Sequence, residues 1–382
     1  MLVQQLRGRR TGVFQSGGLS SLALAVWLKE HGVPAHQYVA DIGQCSRAET
    51  DKLLDTLRAA GMPASLVNLR AAMADMAEAL LRYRARHDGG YWNTAGASRY
   101  VLTANLLGRM VADGRQIAAH GCVGGGNDQR RFAGYTERFA PGTPVYESWQ
   151  DPEAVTRFPD RQAMMEAVAG ERLWLDPGSN ADRSTDANLA GVSHESGELE
   201  LLETPVTRLE PRWSSWPHEA PAHAQEIDVS IVDGRITDVD GSGPRPLDWL
   251  SSANEIGGRH GCWLRDVVER RVIGTVCRGV YEAPGLELLD HAWSKALQIC
   301  LDPDSQRLFG ELSRVVGRAV YEGRYDDLSA QAARSGIDEL VEAVTARVRL
   351  RAHRGTVLVT ALTAAGGTRR QTRFDMGGHR WS

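Results

Sequence analysis

The chain has 382 residues, enough for two domains that share an interface, and its 42% hydrophobic and 24% charged residues are ordinary for a globular protein. A formal net charge of −4, without a long run of one sign, argues against a nucleic-acid-binding surface. Five widely spaced cysteines predict neither a zinc site nor a disulfide framework, and no apolar run is long enough to cross a membrane, so we expect a soluble cytoplasmic protein.

The first third of the sequence alternates short apolar runs with amphipathic segments. Strands are predicted at residues 11–14, 35–42, 64–69 and 116–120, and helices at residues 19–31, 49–60 and 102–113. Strand–helix alternation at this spacing is typical of a parallel sheet covered by helices on both faces. We therefore predict an α/β fold for a first domain over residues 1–165.

The pattern changes after about residue 165. Residues 199–209 and 226–239 are predicted to be β-rich, and the second of these segments contains the turn Asp233-Gly234. Helices are predicted at residues 247–256 and 284–301, and a late strand at residues 357–362. This pattern predicts an α+β second domain over residues 166–365, followed by a short C-terminal tail over residues 366–382.

A glycine-rich turn, Ser16-Gly17-Gly18, lies between the first predicted strand and the first predicted helix. With no Cβ in the way, the backbone N–H groups of such a turn can point at an anion, and the helix N-terminus adds positive potential. The hydroxyls of Ser16 and Ser21 are further donors. The tripeptide alone is most often only a turn, but its position at the start of a parallel sheet favours phosphate binding.

The segment 16–21, Ser-Gly-Gly-Leu-Ser-Ser, resembles the pyrophosphate-binding motif of the N-type ATP pyrophosphatases, which is Ser-Gly-Gly-x-Asp-Ser/Thr. The resemblance implies an enzyme that cleaves ATP between the α- and β-phosphates and leaves AMP on a carbonyl oxygen. Ser20 stands where the motif has Asp. This departure removes a carboxylate that could help to organise magnesium and pyrophosphate.

Further blocks, in order along the chain, resemble the argininosuccinate synthase family within that superfamily. Tyr91, with Arg99 eight residues later, and the segment 40–44, Ala-Asp-Ile-Gly-Gln, fit the same family. The blocks are His-Gly-Cys-Val-Gly-Gly-Gly-Asn-Asp-Gln-Arg-Arg-Phe at 120–132, Ser-Thr-Asp-Ala-Asn-Leu at 184–189 with Ser-His-Glu-Ser-Gly at 193–197, Gly-Arg-His-Gly at 258–261 continuing through Asp266 and Glu269, and Arg-Gly-Val-Tyr-Glu-Ala-Pro-Gly at 278–285.

The resemblance implies a nucleotide-binding domain of the ATP pyrophosphatase (adenine nucleotide alpha hydrolase-like) type and a synthetase domain that binds the amino-acid substrate and mediates multimerisation. The implied reaction uses ATP to adenylate the ureido oxygen of citrulline, releases pyrophosphate, and lets the aspartate amine displace AMP, as in arginine biosynthesis. It further implies Mg²⁺ with ATP, small-molecule substrates and a homo-oligomer. The short tail predicts an assembly without the family's long interlocking arm.

The resemblance also assigns binding residues by matched position, with no covalent or acid–base residue and no resident metal. For ATP and pyrophosphate these are Phe14, Ser16, Gly17, Gly18, Ser20, Ser21, Ala40, Gly121 and Asp186. For citrulline they are Tyr91, Arg131, Ser184, Ser193, Glu195, Glu269 and Tyr281. For aspartate they are Val123, Asn127 and Asp128.

Five positions depart from the family pattern. Ser20 replaces Asp, Val123 replaces Thr, Gly125 replaces Lys, and Ala95-Gly96 replaces a Thr-Ser pair. The residues matched to citrulline, which is the acceptor, are thus largely kept, while positions near the phosphates and near the incoming amine differ. Two alternatives follow: a specialised-metabolism relative that joins another amine to a citrulline-like acceptor, or a citrulline- or nucleotide-binding protein without turnover.

Overall fold

The computed structural model describes residues 1–88, 90–122, 126–175, 184–195, 197–270, 274 and 276–364. Its helices are α1 (Leu19–Glu30), α2 (Arg47–Ala59), α3 (Arg70–Arg82), α4 (Thr94–Ala112), α5 (Asn127–Phe139), α6 (Pro152–Arg157), α7 (Arg161–Gly170), α8 (Pro246–Arg259), α9 (Pro284–Cys300), α10 (Pro303–Glu322) and α11 (Leu328–Val341). Its strands are β1 (Thr11–Gln15), β2 (Ala35–Asp41), β3 (Ala64–Asn68), β4 (Arg86–His87), β5 (Tyr91–Trp92), β6 (Ile117–His120), β7 (Val145–Glu147), β8 (Ser184–Asn188), β9 (Gly191–Glu195), β10 (Gln225–Val232), β11 (Arg235–Val239), β12 (Leu264–Arg270), β13 (Val276–Glu282), β14 (Ala346–His353) and β15 (Thr356–Ala364).

The first sheet is parallel and has the strand order β3-β2-β1-β6-β7. The central strand β1 is buried along its whole length, as expected when helices cover both faces of a sheet. Thr11 of β1 lies opposite Ala35 of β2 on one side and opposite Ile117 of β6 on the other. The connections leave β1 in opposite directions, so the carboxyl edge between β1 and β6 is a topological switch point, where ligands of open α/β sheets bind.

Two apolar cores cover the two faces of this sheet. Val13 of β1 belongs to the smaller core, together with Leu22 of α1. Phe14 is the next residue, and because successive strand residues face opposite sides, it belongs to the larger core. The larger core continues through Leu288 of α9 to Leu350 of β14. One apolar interior therefore joins the parallel sheet to the second half of the chain.

An antiparallel sheet with the order β12-β13-β9-β8 lies beside the carboxyl edge of the parallel sheet. In the β8–β9 hairpin Asp186 lies opposite Ser193, and Tyr281 of β13 lies opposite Ser193 on the other side. Residues directly opposite one another share a face of the sheet, and residues two apart along a strand do so too. The pairing thus puts Asp186, Ser193, Glu195 and Tyr281 on one face.

The other antiparallel sheet has the order β11-β10-β14-β15. Buried and outward-facing residues alternate along β10 and β14, which is typical of a sheet with one face on a core. The predicted turn Asp233-Gly234 joins β10 to β11, and both residues have positive φ, 48° and 70°. A two-residue hairpin turn of this kind requires positive φ at both positions, so the predicted turn is confirmed.

The predicted class is confirmed: a parallel α/β sheet is followed by an α+β part. The strand predicted within residues 199–209 is wrong, because this segment contains short 3₁₀ turns at Gly197–Glu200 and Val206–Arg208. Leu199 and Leu209 still pack against Trp263 in a small cluster, which turns allow as well as a strand does. The helix predicted from residue 102 begins at Thr94.

The domain boundary at residues 165 and 166 stays a prediction, and the tail over residues 366–382 lies outside the described residues. None of the described helices combines the length and the apolar character that a membrane span requires.

Candidate active site

The turn after β1 leads directly into the N-terminus of α1, and its amides at Gly17 and Gly18 donate to Gln15 Oε1 at 2.9 Å and to Ser16 Oγ at 3.3 Å. Gly17 has a φ of 79°, and a Cβ there would lie 2.9 Å from Leu53, so glycine is required both for the backbone and for the packing. Gly18 is the N-cap of α1 and no side chain caps the helix, which leaves the first amides of α1 to other acceptors. The hydroxyls of Ser16 and Ser21 lie 3.1 Å apart beside it.

The end of β6 approaches this loop closely at Gly121. A Cβ on Gly121 would lie 2.6 Å from the carbonyl oxygen of Ser20, a distance that real Cβ atoms do not adopt. The indole N–H of Trp149 donates a hydrogen bond of 2.9 Å to the carbonyl of Gly121 and fixes it from the other side. The absence of a side chain at position 121 therefore lets the end of β6 meet the first turn of α1 at the switch point.

A cavity of about 410 Å³ opens at this place. It brings together residues from all three predicted sets. From the ATP set it contains Ser20, Gly121 and Asp186; from the citrulline set Arg131, Ser193 and Glu195; and from the aspartate set Asn127 and Asp128. Helix α5 contributes the last two together with Arg131, because residues three or four apart on a helix lie on the same face.

A network of two guanidinium groups and two carboxylates crosses the cavity. Arg99 of α4 donates to Asp128 at 2.8 Å and also forms an ion pair with Asp186 of β8. Arg131 donates to the other oxygen of Asp128 at 2.9 Å. Burial alone would raise the pKa of Asp128, but the charges of Arg99 and Arg131 hold this pKa well below its usual range. Asp128 is therefore ionised at neutral pH.

A second cluster lies next to the cavity and contains three of the remaining citrulline residues, Tyr91, Glu269 and Tyr281. The rings of Tyr91 and Tyr281 are stacked with centroids 3.7 Å apart, and the Tyr91 hydroxyl donates to Glu269 Oε1 at 3.1 Å. Burial, with the charge of Glu195, raises the pKa of Glu269. Glu269 Oε2 is buried, lies 3.5 Å from His87 Nε2, and accepts no hydrogen bond from a described residue. This oxygen is available to an N–H group of a ligand.

Some predicted residues lie outside the cavity wall. Phe14 is buried behind the loop with its ring 5.0 Å from that of Phe132, and Ala40 is buried at the end of β2. Ser16 is exposed on the loop. Ser184 begins β8, but its side chain is not described, and Val123 and Gly125 lie outside the described residues.

Sequence reasoning missed several residues of the site. Arg99 was visible only as a family match, and nothing in its spacing revealed that it bridges two carboxylates. Arg161 at the start of α7 lines the same cavity, although it lies more than a hundred residues from the loop in sequence. His87 and Tyr321 contact the predicted binding residues from β4 and α10. A covariation signal between distant positions is what could have found them.

His120 and Cys122 flank Gly121 but have no catalytic geometry. Burial lowers the pKa of His120 to about 4, so the imidazole is neutral, and its ring stacks on Phe132. The Cys122 amide donates to its Nδ1 at 3.3 Å. Burial, together with the charge of Asp128, raises the pKa of the Cys122 thiol, which excludes a reactive thiolate at neutral pH.

Two family models match most of the chain. Residues 13–161 match a model described as the Arginosuccinate synthase N-terminal HUP domain, and residues 183–366 match one described as the Arginosuccinate synthase C-terminal domain. Among solved structures, the chain is similar to one described as a predicted subunit of tRNA methyltransferase from Methanocaldococcus jannaschii DSM, with 15% identity and a TM-score of 0.25. That match covers 36% of this chain and 66% of the other, just under two thirds of its length.

Proposed function

Because the chain belongs to the argininosuccinate synthase family, we propose that it is an AMP-forming ligase that joins the amine of aspartate to the ureido carbon of citrulline. Family membership supports an ATP-dependent ligase with an ATP-binding HUP domain. The identity of the acceptor and of the amine is our proposal. Its main support is that one cavity contains residues matched to ATP, to citrulline and to aspartate.

The phosphate end of the cavity suits pyrophosphate. The first amides of α1 carry the positive end of the helix dipole, and the hydroxyls of Ser16 and Ser20 lie beside them, whereas the buried Ser21 hydroxyl donates to Gln15. Arg161 adds a cation to the cavity wall. Because family enzymes break the bond between the α- and β-phosphates, these donors would stabilise the charge of the leaving pyrophosphate.

The amino-acid end of the cavity suits two zwitterions. Arg131 can bind a carboxylate, and the carboxylate of Glu269 can accept from an ammonium or ureido N–H. Asp128 is ionised and can accept from the ammonium of the second amino acid. These groups position the reactants, and no covalent enzyme intermediate is required.

In the proposed reaction the ureido oxygen of citrulline attacks the α-phosphorus of ATP, and pyrophosphate leaves. The deprotonated amine of aspartate then attacks the ureido carbon, and AMP leaves with the oxygen that it received. The products are argininosuccinate, AMP and pyrophosphate. Water must be excluded during the second step, because it would hydrolyse the adenylate.

We propose that Mg²⁺ arrives with the phosphates of ATP. Within the described part of the chain, no three His, Cys, Asp or Glu side chains converge to hold a metal. Asp186 already pairs with Arg99, and position 20 offers a hydroxyl instead of a carboxylate. Phosphate oxygens and water, which are the usual partners of Mg²⁺ at nucleotides, would supply most of its ligands.

The test is incubation of the full chain with ATP, Mg²⁺ and citrulline, with aspartate or a panel of other amines, followed by mass detection of products. We expect argininosuccinate and equimolar AMP and pyrophosphate with aspartate. A product with another amine alone would support the specialised relative, whose support is the changed residues at positions 20, 123 and 125 on the phosphate and amine sides. Binding of citrulline or ATP without pyrophosphate release with any amine would indicate a non-catalytic binder.

The homo-oligomer and the cytoplasmic location are also proposals. The family resemblance is their support. Light scattering of the purified chain would measure the first of them directly.

A further inference from the structure

The C-terminal end of α10 forms part of the wall behind the amino-acid end of the cavity. Gly323 caps α10 with a φ of 75°, and a Cβ there would lie 2.8 Å from the Cα of Arg131. The glycine therefore lets α10 approach α5 closely. As a result Tyr321, only 4% exposed, lies against the first turn of α5.

Tyr321 contacts binding residues with three different groups. Its hydroxyl accepts a hydrogen bond of 3.0 Å from Asn127 Nδ2, and its main-chain carbonyl accepts one of 2.9 Å from Arg131 Nε. Its ring stacks on His87 with centroids 3.6 Å apart and planes within 8°. His87 in turn lies next to Glu269. One buried residue thus touches both the predicted aspartate side and the predicted citrulline side.

The three contacts differ in what a substitution would remove. A phenylalanine would keep the main-chain carbonyl for Arg131 and the ring for His87. It would remove the hydroxyl, and with it the acceptor that fixes the side-chain amide of Asn127. Glu269 would lose its contact with the same hydroxyl but would keep the hydrogen bond of 3.1 Å from Tyr91. A side-chain amide can flip and so exchange the places of its oxygen and nitrogen. Its orientation therefore depends on such hydrogen-bond partners. Tyr321→Phe therefore acts mainly on the amine side, where the Asn127 amide loses its acceptor.

We propose that Tyr321 is a positioning residue for the incoming amine, because its hydroxyl orients the Asn127 amide toward the ligand. Tyr321 itself touches no substrate in this role and acts through Asn127. The inference rests on the proposed function, since Asn127 is matched to the aspartate site. It assigns to α10 a part in amine selection that the family motifs do not contain.

The test compares Tyr321→Phe with a matched control, Tyr83→Phe, in the full chain. The Tyr83 hydroxyl also hydrogen-bonds a side chain, Asp338 at 3.2 Å, but lies away from the cavity. For Tyr321→Phe we expect the KM for aspartate to rise about tenfold, the effect of losing one hydrogen bond at a buried polar group. The KM for citrulline should change much less. The control should leave both KM values unchanged.

Equal changes in the two KM values, or no change in either, would overturn the inference, because a purely structural role would not select the amine. Crystal structures of the two variants give a second measurement that does not depend on turnover. We expect the Asn127 amide to be displaced or rotated in Tyr321→Phe only. If wild type forms no argininosuccinate, the proposed function fails, while an undisturbed Asn127 would separately refute the inference.

Discussion

Two carboxylates at the candidate site have different charge states because of their surroundings. Asp128 is held ionised by the guanidinium groups of Arg99 and Arg131, whereas burial favours the neutral form of Glu269. The ionised group suits an ammonium ligand. The Glu269 carboxyl, with its raised pKa, is suited to share a proton with an N–H group of a ligand.

The depressed pKa of Asp128 predicts a pH-dependent contribution to stability. This contribution is complete above the unfolded-chain pKa of about 3.9 and is lost as the pH falls through the lower folded value. Asp128→Asn should lower the free energy of unfolding at pH 7 by about 2 kcal/mol, since two charge-assisted hydrogen bonds weaken. Urea denaturation at pH 7, 5 and 3 should show that the difference in free energy of unfolding between wild type and Asp128→Asn becomes smaller only below about pH 4.

The matched control for this measurement is Asp51→Asn, because Asp51 pairs with Arg47 on the exposed surface. Surface pairs contribute little, so the control should unfold like wild type at each pH. A gap between wild type and Asp128→Asn that is equally wide at pH 7 and pH 3 would contradict the assignment of the ionised state.

Ser20 predicts a gain of function. Its position on the cavity wall beside Gly121 is where the motif of the superfamily has a carboxylate. Ser20→Asp should increase ATP turnover about fivefold, because a carboxylate near Mg²⁺ and pyrophosphate adds about 1 kcal/mol of favourable interaction. Citrulline-dependent pyrophosphate release measures it. Ser20→Asn, similar in size but uncharged, should give no gain; unchanged or lower activity with Asp would mean that this end of the site is reorganised around serine.

At the scale of elements, the first turn of α4 explains one departure from the family. A Cβ on Gly96 would lie 2.8 Å from the Asn93 side-chain oxygen and 2.9 Å from the carbonyl of Val320 in α10. The Asn93 oxygen is already the cap of α4, accepting from the Gly96 amide at 2.7 Å. The family's serine therefore does not fit here without movement of α10.

Restoring that serine should destabilise the protein. Gly96→Ser is expected to lower the free energy of unfolding by about 1–3 kcal/mol, the usual effect of overpacking. Gly108→Ser in the same helix is the control, because nothing lies within 4 Å of a Cβ at Gly108. Thermal or urea denaturation should leave the control within about 0.5 kcal/mol of wild type. If the two variants had equal free energies of unfolding, α10 would move to admit the serine without a loss of stability, which would contradict this prediction.

The elements that the sequence predicted well are those with a local signal. Four of the five parallel strands were predicted from apolar runs between turn residues, whereas the short edge strand β7 was not. Asp233-Gly234 was predicted from its turn chemistry. The start of α4 was missed because Thr94, Gly96 and Ser98 weaken the helical pattern, while the Asn93 cap and packing against α10 stabilise it. Residues 199–209 were wrongly predicted to be β-rich because the apolar side chains of Leu199 and Leu209 pack in a small local cluster and not in a sheet.

Only those site residues that belong to sequence motifs could be predicted. Asn127, Asp128 and Arg131 come from one block of sequence, and the structure places them around one cavity with Asp186 and Glu195. Tyr321 and His87 carry no motif, and their contacts join residues that are about two hundred positions apart. Such contacts follow from packing of α10 on α5, which single-sequence patterns do not encode.

At the scale of the whole molecule, a buried ion network joins the two halves of the chain. Arg86 of β4 forms two hydrogen bonds of 3.0 Å with Glu287 of α9 and one of 3.2 Å with Asp290. Arg84 and Arg265 pair with the same two carboxylates. Both Arg86 and Glu287 are less than one tenth exposed, so loss of one partner leaves a poorly solvated charge.

Arg86→Met should therefore lower the free energy of unfolding by about 3–5 kcal/mol. Arg47→Met, which breaks an exposed pair, is the control and should change it by less than about 1 kcal/mol. Urea denaturation followed by tryptophan fluorescence measures both. We expect one transition in each case, because the network and the larger core connect both halves. Two separated transitions would indicate that the halves unfold independently.

The larger apolar core has a consequence for how this chain can be recombined. Phe14 of the parallel sheet and Leu350 of the last antiparallel sheet belong to one continuous interior, although they fall in the segments matched by different family models. A chimaera that exchanged one segment for that of a relative would cut through this interior and leave mismatched side-chain volumes. Residues of the two segments that pack against each other should therefore vary together among functional relatives. A functional chimaera should need compensating substitutions where its two segments pack.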